Sequence, residues 1–204
     1  LTEELKLKKG DRLIIQSPNV LQYPIALFAA LRSGIVVVNT NPLYTPNEMQ
    51  HQFKDSGAKA ILILSNFAYN LEKIISNTHI KHVIVSNIGD MLGGIKGFIT
   101  NFVVKNIKKM VPKYNLPEAV SFKKALETGS KHDFKKHKIK SDDIAFLQYT
   151  GGTTGVSKGA MLTHYNVLSN LSQIHEVMKT LLSDKKEICI TALPLYHIFA
   201  LVCN

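Results

Sequence analysis

Short β-type runs alternate with helical patterns along this chain, and that alternation predicts parallel βαβ units. Residues 12–17 read as a buried strand, and a helical pattern over 20–33 follows, with Pro24 in its first turns and Gly34 placed to end it. Residues 35–38 are solidly apolar, as strands covered on both faces are. Thr45-Pro46-Asn47-Glu48 is a helix start: Thr45 caps, Pro46 suits the first helical position and Glu48 reaches back to complete a capping box. That helix is predicted to run to Ser56, with Gly57 as its stop. A strand over 60–64, a helix over 67–76 and a strand over 82–85 continue the pattern. From 95 to 111 the apolar positions Ile95, Phe98, Ile99, Phe102, Val103, Ile107 and Met110 keep helical spacing, with Lys96, Lys105, Lys108 and Lys109 mostly off the stripe and Pro112 closing the element. Residues 113–143 are polar and turn-rich and read as a surface excursion. A strand over 144–149 resumes regular structure, and Thr163 with His164 marks a further helix start, where His164 reads as structural. The expected class is α/β, a mostly parallel sheet with helices on both faces.

Composition narrows the classes. At 204 residues and 45% apolar content, the chain can bury one core and is too apolar for intrinsic disorder. No unbroken apolar run reaches the roughly 18 to 20 residues of a membrane span. The opening Leu1-Thr2-Glu3-Glu4 lacks the features of a signal peptide, and both ends read as cuts within a longer chain. Cys189 and Cys203 form no disulfide framework or metal-ligand spacing and read as reduced, buried thiols of a cytoplasmic protein. The net charge of +10 is uneven. Residues 105–140 hold eleven lysines against Glu118, Glu127 and Asp133, a local balance of 11 − 3 = +8. Such a segment suits an anionic surface. Without aromatic platforms or zinc-finger spacing it does not point to nucleic acid.

The chemistry concentrates after the 144–149 strand, in Thr150-Gly151-Gly152-Thr153-Thr154-Gly155-Val156-Ser157-Lys158-Gly159. Its four glycines let a backbone turn and present N–H groups unobstructed. Its three threonines offer hydroxyls to phosphate oxygens or a Mg²⁺ ion, and Lys158 adds a positive charge for β- and γ-phosphates. Two familiar phosphate motifs are excluded by spelling: Lys158 follows Ser157 and precedes Gly159, unlike a P-loop, and Thr150 stands where a dinucleotide fingerprint needs its first glycine.

The string from Tyr149 to Ala160 resembles the phosphate loop of the adenylate-forming superfamily, which holds acyl-CoA synthetases, luciferases and peptide-synthetase adenylation domains. The run Ala29-Ala30-Leu31-Arg32-Ser33-Gly34 through Asn41-Pro42-Leu43-Tyr44-Thr45-Pro46 is similar to an early motif of that superfamily, in wording closest to bacterial long-chain fatty acid–CoA ligases. Ala192-Leu193-Pro194-Leu195-Tyr196-His197-Ile198-Phe199-Ala200-Leu201 resembles the next motif, which lines the acyl site. The three occur in the family's order. The resemblance implies part of a large N-terminal AMP-binding domain over 1–204, without that domain's C-terminal part or the small C-terminal domain. It further implies that Thr150 contacts Mg²⁺ and phosphate. Gly151, Gly152, Thr153, Thr154, Gly155, Val156, Ser157 and Lys158 would wrap the leaving pyrophosphate, and His197 would sit beside the substrate carboxylate. Leu201 stands where some relatives carry an aromatic gate. Asn41 and Tyr44 read as turn and packing residues.

The implied reaction joins a carboxylate to the α-phosphorus of ATP and then passes the acyl group to CoA, with a fatty acid, ATP and CoA as partners. This length alone is expected to be inactive, because the adenine, ribose and hinge motifs and the C-terminal lysine are not in it. Two alternatives stand beside this reading: an adenylate-forming ligase for a short-chain, aryl or amino acid, or a basic module that binds a membrane surface through residues 105–140. Two expectations complete it. The amphipathic 95–111 segment rests on anionic lipid, a peripheral association at the inner face of the membrane, or else packs on the sheet. The isolated chain self-associates through Leu195, Ile198, Phe199, Leu201 and Val202.

Overall fold

The computed structural model describes residues 1–152, 155–180, 188 and 190–203. Seven strands form one sheet in the order β5-β4-β3-β1-β2-β6-β7, parallel throughout except for the last pair. They are β1 (Arg12–Gln16), β2 (Val36–Thr40), β3 (Ala60–Leu64), β4 (His82–Ser86), β5 (Val120–Ser121), β6 (Ile144–Gly152) and β7 (Gly155–Thr163). β2 and β3 are buried along their whole length. This is why Val36–Val38 and Ala60–Leu64 read as unbroken apolar runs rather than alternating ones, with the buried Asn39 and Thr40 ending β2.

Alternate residues feed two cores. Leu13, Ile15, Val37, Leu62 and Ile84 face α1 (Gln22–Arg32), which brings Tyr23, Leu27 and Ala30. Ile14, Val38, Ile61, Ile63 and Val85 face α2 (Pro46–Ser56), which brings Met49 and Phe53. The chain steps from β1 to β2 on one side and to β3 on the other. Right-handed crossovers then place α1 and α2 on opposite faces. The expectation of a mostly parallel sheet covered on both faces holds.

Local signals set the element ends. Thr45 Oγ1 accepts from the Glu48 N–H while the Glu48 carboxylate accepts from the Thr45 N–H at 2.8 Å, a complete capping box. Gly57 ends α2 in the left-handed region at φ +59°, and Gly34 follows α1 at φ +69°. Thr163 caps α6 (His164–Met178) through its hydroxyl, with Asn166 in the reciprocal role.

Several readings change. The helix expected over 67–76 is broken into α3 (Ala68–Glu72) between two 3-10 turns. The helix expected over 95–111 is α4 (Gly94–Phe102), continued by one π-helical turn over Val103–Ile107. The supposed excursion over 113–143 contains β5 and α5 (Phe122–Gly129), because Phe122 is buried in the α1-side core. Its basic tract is also not one open patch: Lys135 pairs with Glu3 at 3.4 Å and His132 with Glu4 at 2.6 Å, folding part of it over the N-terminal residues. Finally, the apolar end is better covered than expected. α7 (Ile198–Cys203) buries Ala200 and Val202, and Leu195, Ile198 and Leu201 pack against the α1-side core, while Phe199 stays exposed. Cys203 is a free thiol but an exposed one, and Cys189 lies outside the described residues. Among the described residues no helix is long and apolar enough to cross a membrane.

Candidate functional site

The glycine- and threonine-rich string is the tip of a β-hairpin. β6 runs parallel to β2, pairing Asn39 with Gln148, then extends past the carboxyl ends of the parallel strands and returns as antiparallel β7. The crevice beyond strand carboxyl ends is where open α/β sheets take up ligands. Gly152 pairs with Gly155 across the tip, and Thr150 pairs with Lys158. Directly paired residues project from the same face about 5 Å apart. The Thr150 hydroxyl and the Lys158 ammonium, both on exposed side chains, thus form one polar pair at the tip. Ser157 Oγ donates to the Thr150 carbonyl at 2.9 Å and closes the hairpin from the side. Val156 is exposed, and Thr153 and Thr154 lie outside the described residues. Gly159 has a different task from the other glycines: it faces Tyr149, and a Cβ there would lie 3.0 Å from the Tyr149 ring.

Contacts on one face of the sheet hold this hairpin, and contacts on the other dock the segment that carries His197. On the α2 face, the Tyr149 hydroxyl donates to Asp55 at 2.5 Å, and His51 Nε2 lies 2.8 Å from the Ser157 carbonyl. His51 and Asp55 are four residues apart on α2 and so share one side of it. Burial, with the Asp55 carboxylate beside it, pushes the Tyr149 phenol far above its ordinary range and keeps it a donor.

On the α1 face, the segment carrying His197 is docked by polar side chains at the carboxyl ends of β1, β2 and β6. Asn19 Nδ2 donates to the Thr191 and Leu193 carbonyls at 3.1 and 2.8 Å, and its Oδ1 accepts from the Leu195 N–H at 2.8 Å. Gln148 Nε2 donates to the Tyr196 carbonyl at 3.2 Å. The Tyr23 hydroxyl lies 2.8 Å from both Asn39 Oδ1 and the Leu195 carbonyl and shares its single proton between them. His197 follows at the head of α7, its N–H donating to the Pro194 carbonyl and its carbonyl accepting from Leu201, with its side chain exposed.

The structure therefore brings the loop string and the His197 motif to the same sheet edge, held by neighbours on β6: Tyr149 for one, Gln148 for the other. Sequence reasoning missed Asn19, Tyr23, His51, Asp55 and Gln148 as supports. The available signal was polar residues inside apolar runs, Asn39 and Gln148 above all. Asn41 and Tyr44 behave as read: Asn41 Oδ1 accepts from the Leu43 N–H in a tight turn, and Tyr44 packs against the α2-side core.

As a metal ligand set the site is sparse. No cluster of three or more His, Cys, Asp or Glu side chains is placed to hold a metal among the described residues. Among the described residues, the Thr150 hydroxyl is an exposed oxygen donor at the tip. It fits a hard cation such as Mg²⁺ that keeps most of its shell from substrate phosphates and water. A cavity of about 630 Å³ lies elsewhere, between α1, β4 and α5, lined by Leu5, Ile25, Ala26, Ile84, Phe122 and Ala125. None of the described loop residues borders it.

The profile of the AMP-binding enzyme family matches residues 1–204. The long-chain-fatty-acid–CoA ligase of Salmonella typhimurium is 57% identical over 204 residues, covering all of this chain and 36% of that protein. The ligase of the same name from Haemophilus influenzae is 52% identical, covering all of this chain and 37% of that protein. A crystal structure of a long-chain-fatty-acid–CoA ligase from Archaeoglobus fulgidus superposes with a TM-score of 0.70 at 28% identity, covering 97% of this chain and 33% of that one. The chain thus spans about a third of the length of the relatives it matches.

Proposed function

The chain belongs to the AMP-binding enzyme family, and from that premise we propose that it is the phosphate-gripping part of a long-chain fatty acid–CoA ligase. The observation that carries the reading is the hairpin tip, where Thr150 and Lys158 are cross-strand partners at the sheet edge that also docks the His197 segment.

In this reading one carboxylate oxygen of the acid bonds to the α-phosphorus of ATP as the bond to pyrophosphate breaks, giving acyl-adenylate. The CoA thiolate then bonds to the acyl carbon and AMP leaves. The first step brings a carboxylate toward a triphosphate of the same sign, so the site must offset repulsion and hold the two in line. Lys158 supplies a charge facing the β- and γ-phosphates. Backbone N–H groups of Gly151, Gly152 and Gly155 are the donors a glycine-rich tip can present, with Thr153, Thr154 and Ser157 adding hydroxyls. Thr150 is the residue that would offer one oxygen to a Mg²⁺ ion carried on ATP, whose charge would offset that of the phosphates. His197 borders the carboxylate end of the acid, carried there by the segment that Asn19, Tyr23 and Gln148 fix. A cytoplasmic enzyme meeting its acid at the inner face of the membrane fits these substrates.

ATP–pyrophosphate exchange by the full-length protein over a panel of carboxylic acids tests the proposal. Exchange strongest with long-chain fatty acids is expected. Exchange confined to short-chain, aryl or amino acids would overturn the substrate class, and none with any acid would overturn the reaction.

A further inference from the structure

α4 is built inside out. Its inner side is small and polar: Gly97 is buried against Gly89, where an added Cβ on Gly89 would lie 2.5 Å from the Gly97 carbonyl oxygen. Asn101 Oδ1 accepts from the Gly89 N–H at 2.8 Å, and Asn101 Nδ2 donates to Asp90 at 3.1 Å. The large apolar side chains point the other way. Ile95, Phe98, Ile99 and Phe102 are 78%, 73%, 53% and 50% exposed, and the Phe98 and Phe102 rings stack at 6.5 Å. The π turn prolongs this face. Ile107 is 64% exposed.

The charges around this face have one sign. Between Met91 and Pro117 stand Lys96, Lys105, Lys108, Lys109 and Lys113, all exposed, and no Asp or Glu. The adjoining Asp90 is buried, accepting from Ser86, Asn87 and Asn101, and so is turned away from the surface.

We infer that α4 with its π turn docks this protein on an anionic lipid bilayer, lying in the plane of the interface. Ile95, Phe98, Ile99 and Phe102 enter the acyl boundary and the lysines meet the headgroups. An exposed apolar stripe rimmed by lysines without a counter-charge matches that partner in both shape and sign. The helix is too short to cross. The inference deepens the ligase reading by naming where a long-chain acid is met. It rests on that reading for its purpose and on α4 alone for its geometry.

Flotation of the full-length protein with phosphatidylcholine vesicles, with and without about one-third phosphatidylglycerol, tests it. Binding to the anionic vesicles is expected, falling as salt rises, since each lysine near such a surface raises partitioning about fivefold. Phe98→Ser with Phe102→Ser changes only exposed positions and is expected to lower partitioning by about tenfold or more. The same variant should keep its exchange rate with an acid presented in detergent, so that failure of the surface and failure of the ligase reading are told apart. Equal flotation of variant and parent, or binding indifferent to anionic lipid, overturns the inference. So does a variant that changes oligomeric state and leaves flotation unaltered, which would assign the face to a second copy.

Discussion

Tyr149 donates its hydroxyl proton to Asp55 across 2.5 Å, tying the strand that enters the phosphate loop to the helix packed against it. The bond spans 94 residues of sequence. Because His51, one turn earlier on α2, holds the Ser157 carbonyl on the returning strand, a single helix grips both arms of the hairpin.

Removing that hydroxyl has a pH signature. The folded-state pKa of Tyr149 is raised above the ordinary value of 10.0, first by burial and then by Asp55. Its stabilising contribution is therefore complete below pH 10 and is lost as pH rises toward the folded value. Tyr149→Phe should cost about 1 kcal/mol at neutral pH, the scale of one hydrogen bond whose acceptor stays hydrated. It should also flatten part of the alkaline loss of stability. Thermal unfolding at pH 7 and pH 11 checks this, and identical alkaline losses in parent and variant would contradict it.

Gly159 is predicted to matter through Tyr149 rather than through phosphate. A methyl at Gly159 would press on a ring that Asp55 prevents from swinging aside. Gly159→Ala should destabilise by about 1 to 3 kcal/mol, as overpacking does. In a Tyr149→Ala background the same change should be nearly neutral. A double-mutant cycle with no coupling would refute the contact as the cause.

Gln148 is a positioning residue for the His197 segment. Gln148→Leu removes the donor to the Tyr196 carbonyl while leaving the hairpin tip and the α2 clamp in place. The expected result is a KM for the carboxylic acid raised about tenfold or more with the KM for ATP little changed, since small misplacements of a positioned group cost that much. Equal effects on both substrates would show a general structural role instead.

How much of this was legible in the sequence follows the range of each interaction. The Thr45–Glu48 capping box, the Gly34 and Gly57 stops and the Thr163 cap are set within four residues, so spacing alone revealed them. The phosphate loop was legible as a contiguous string. Its hairpin form was not, because the pairing of β6 with β7 is a matter of register that glycine content hides. The helix over 67–76 failed because its apolar spacing is satisfied equally by one short helix and two 3-10 turns. The clamps by Asp55 and His51 and the docking by Asn19, Tyr23 and Gln148 join residues 48 to 176 apart, beyond any local signal. The outward turn of α4 was equally hidden. Periodicity gives a stripe, and the close approach of Gly89 and Gly97 decides which side faces in.

The central claim is that the hairpin tip grips the polyphosphate of ATP, and Lys158→Ala in the full-length protein tests it most directly. ATP–pyrophosphate exchange should fall about a hundredfold or more, the scale of losing one preorganised group facing transition-state charge, while the unfolding midpoint stays that of the parent. An exchange rate unchanged both at saturating ATP and at ATP well below KM would contradict the account.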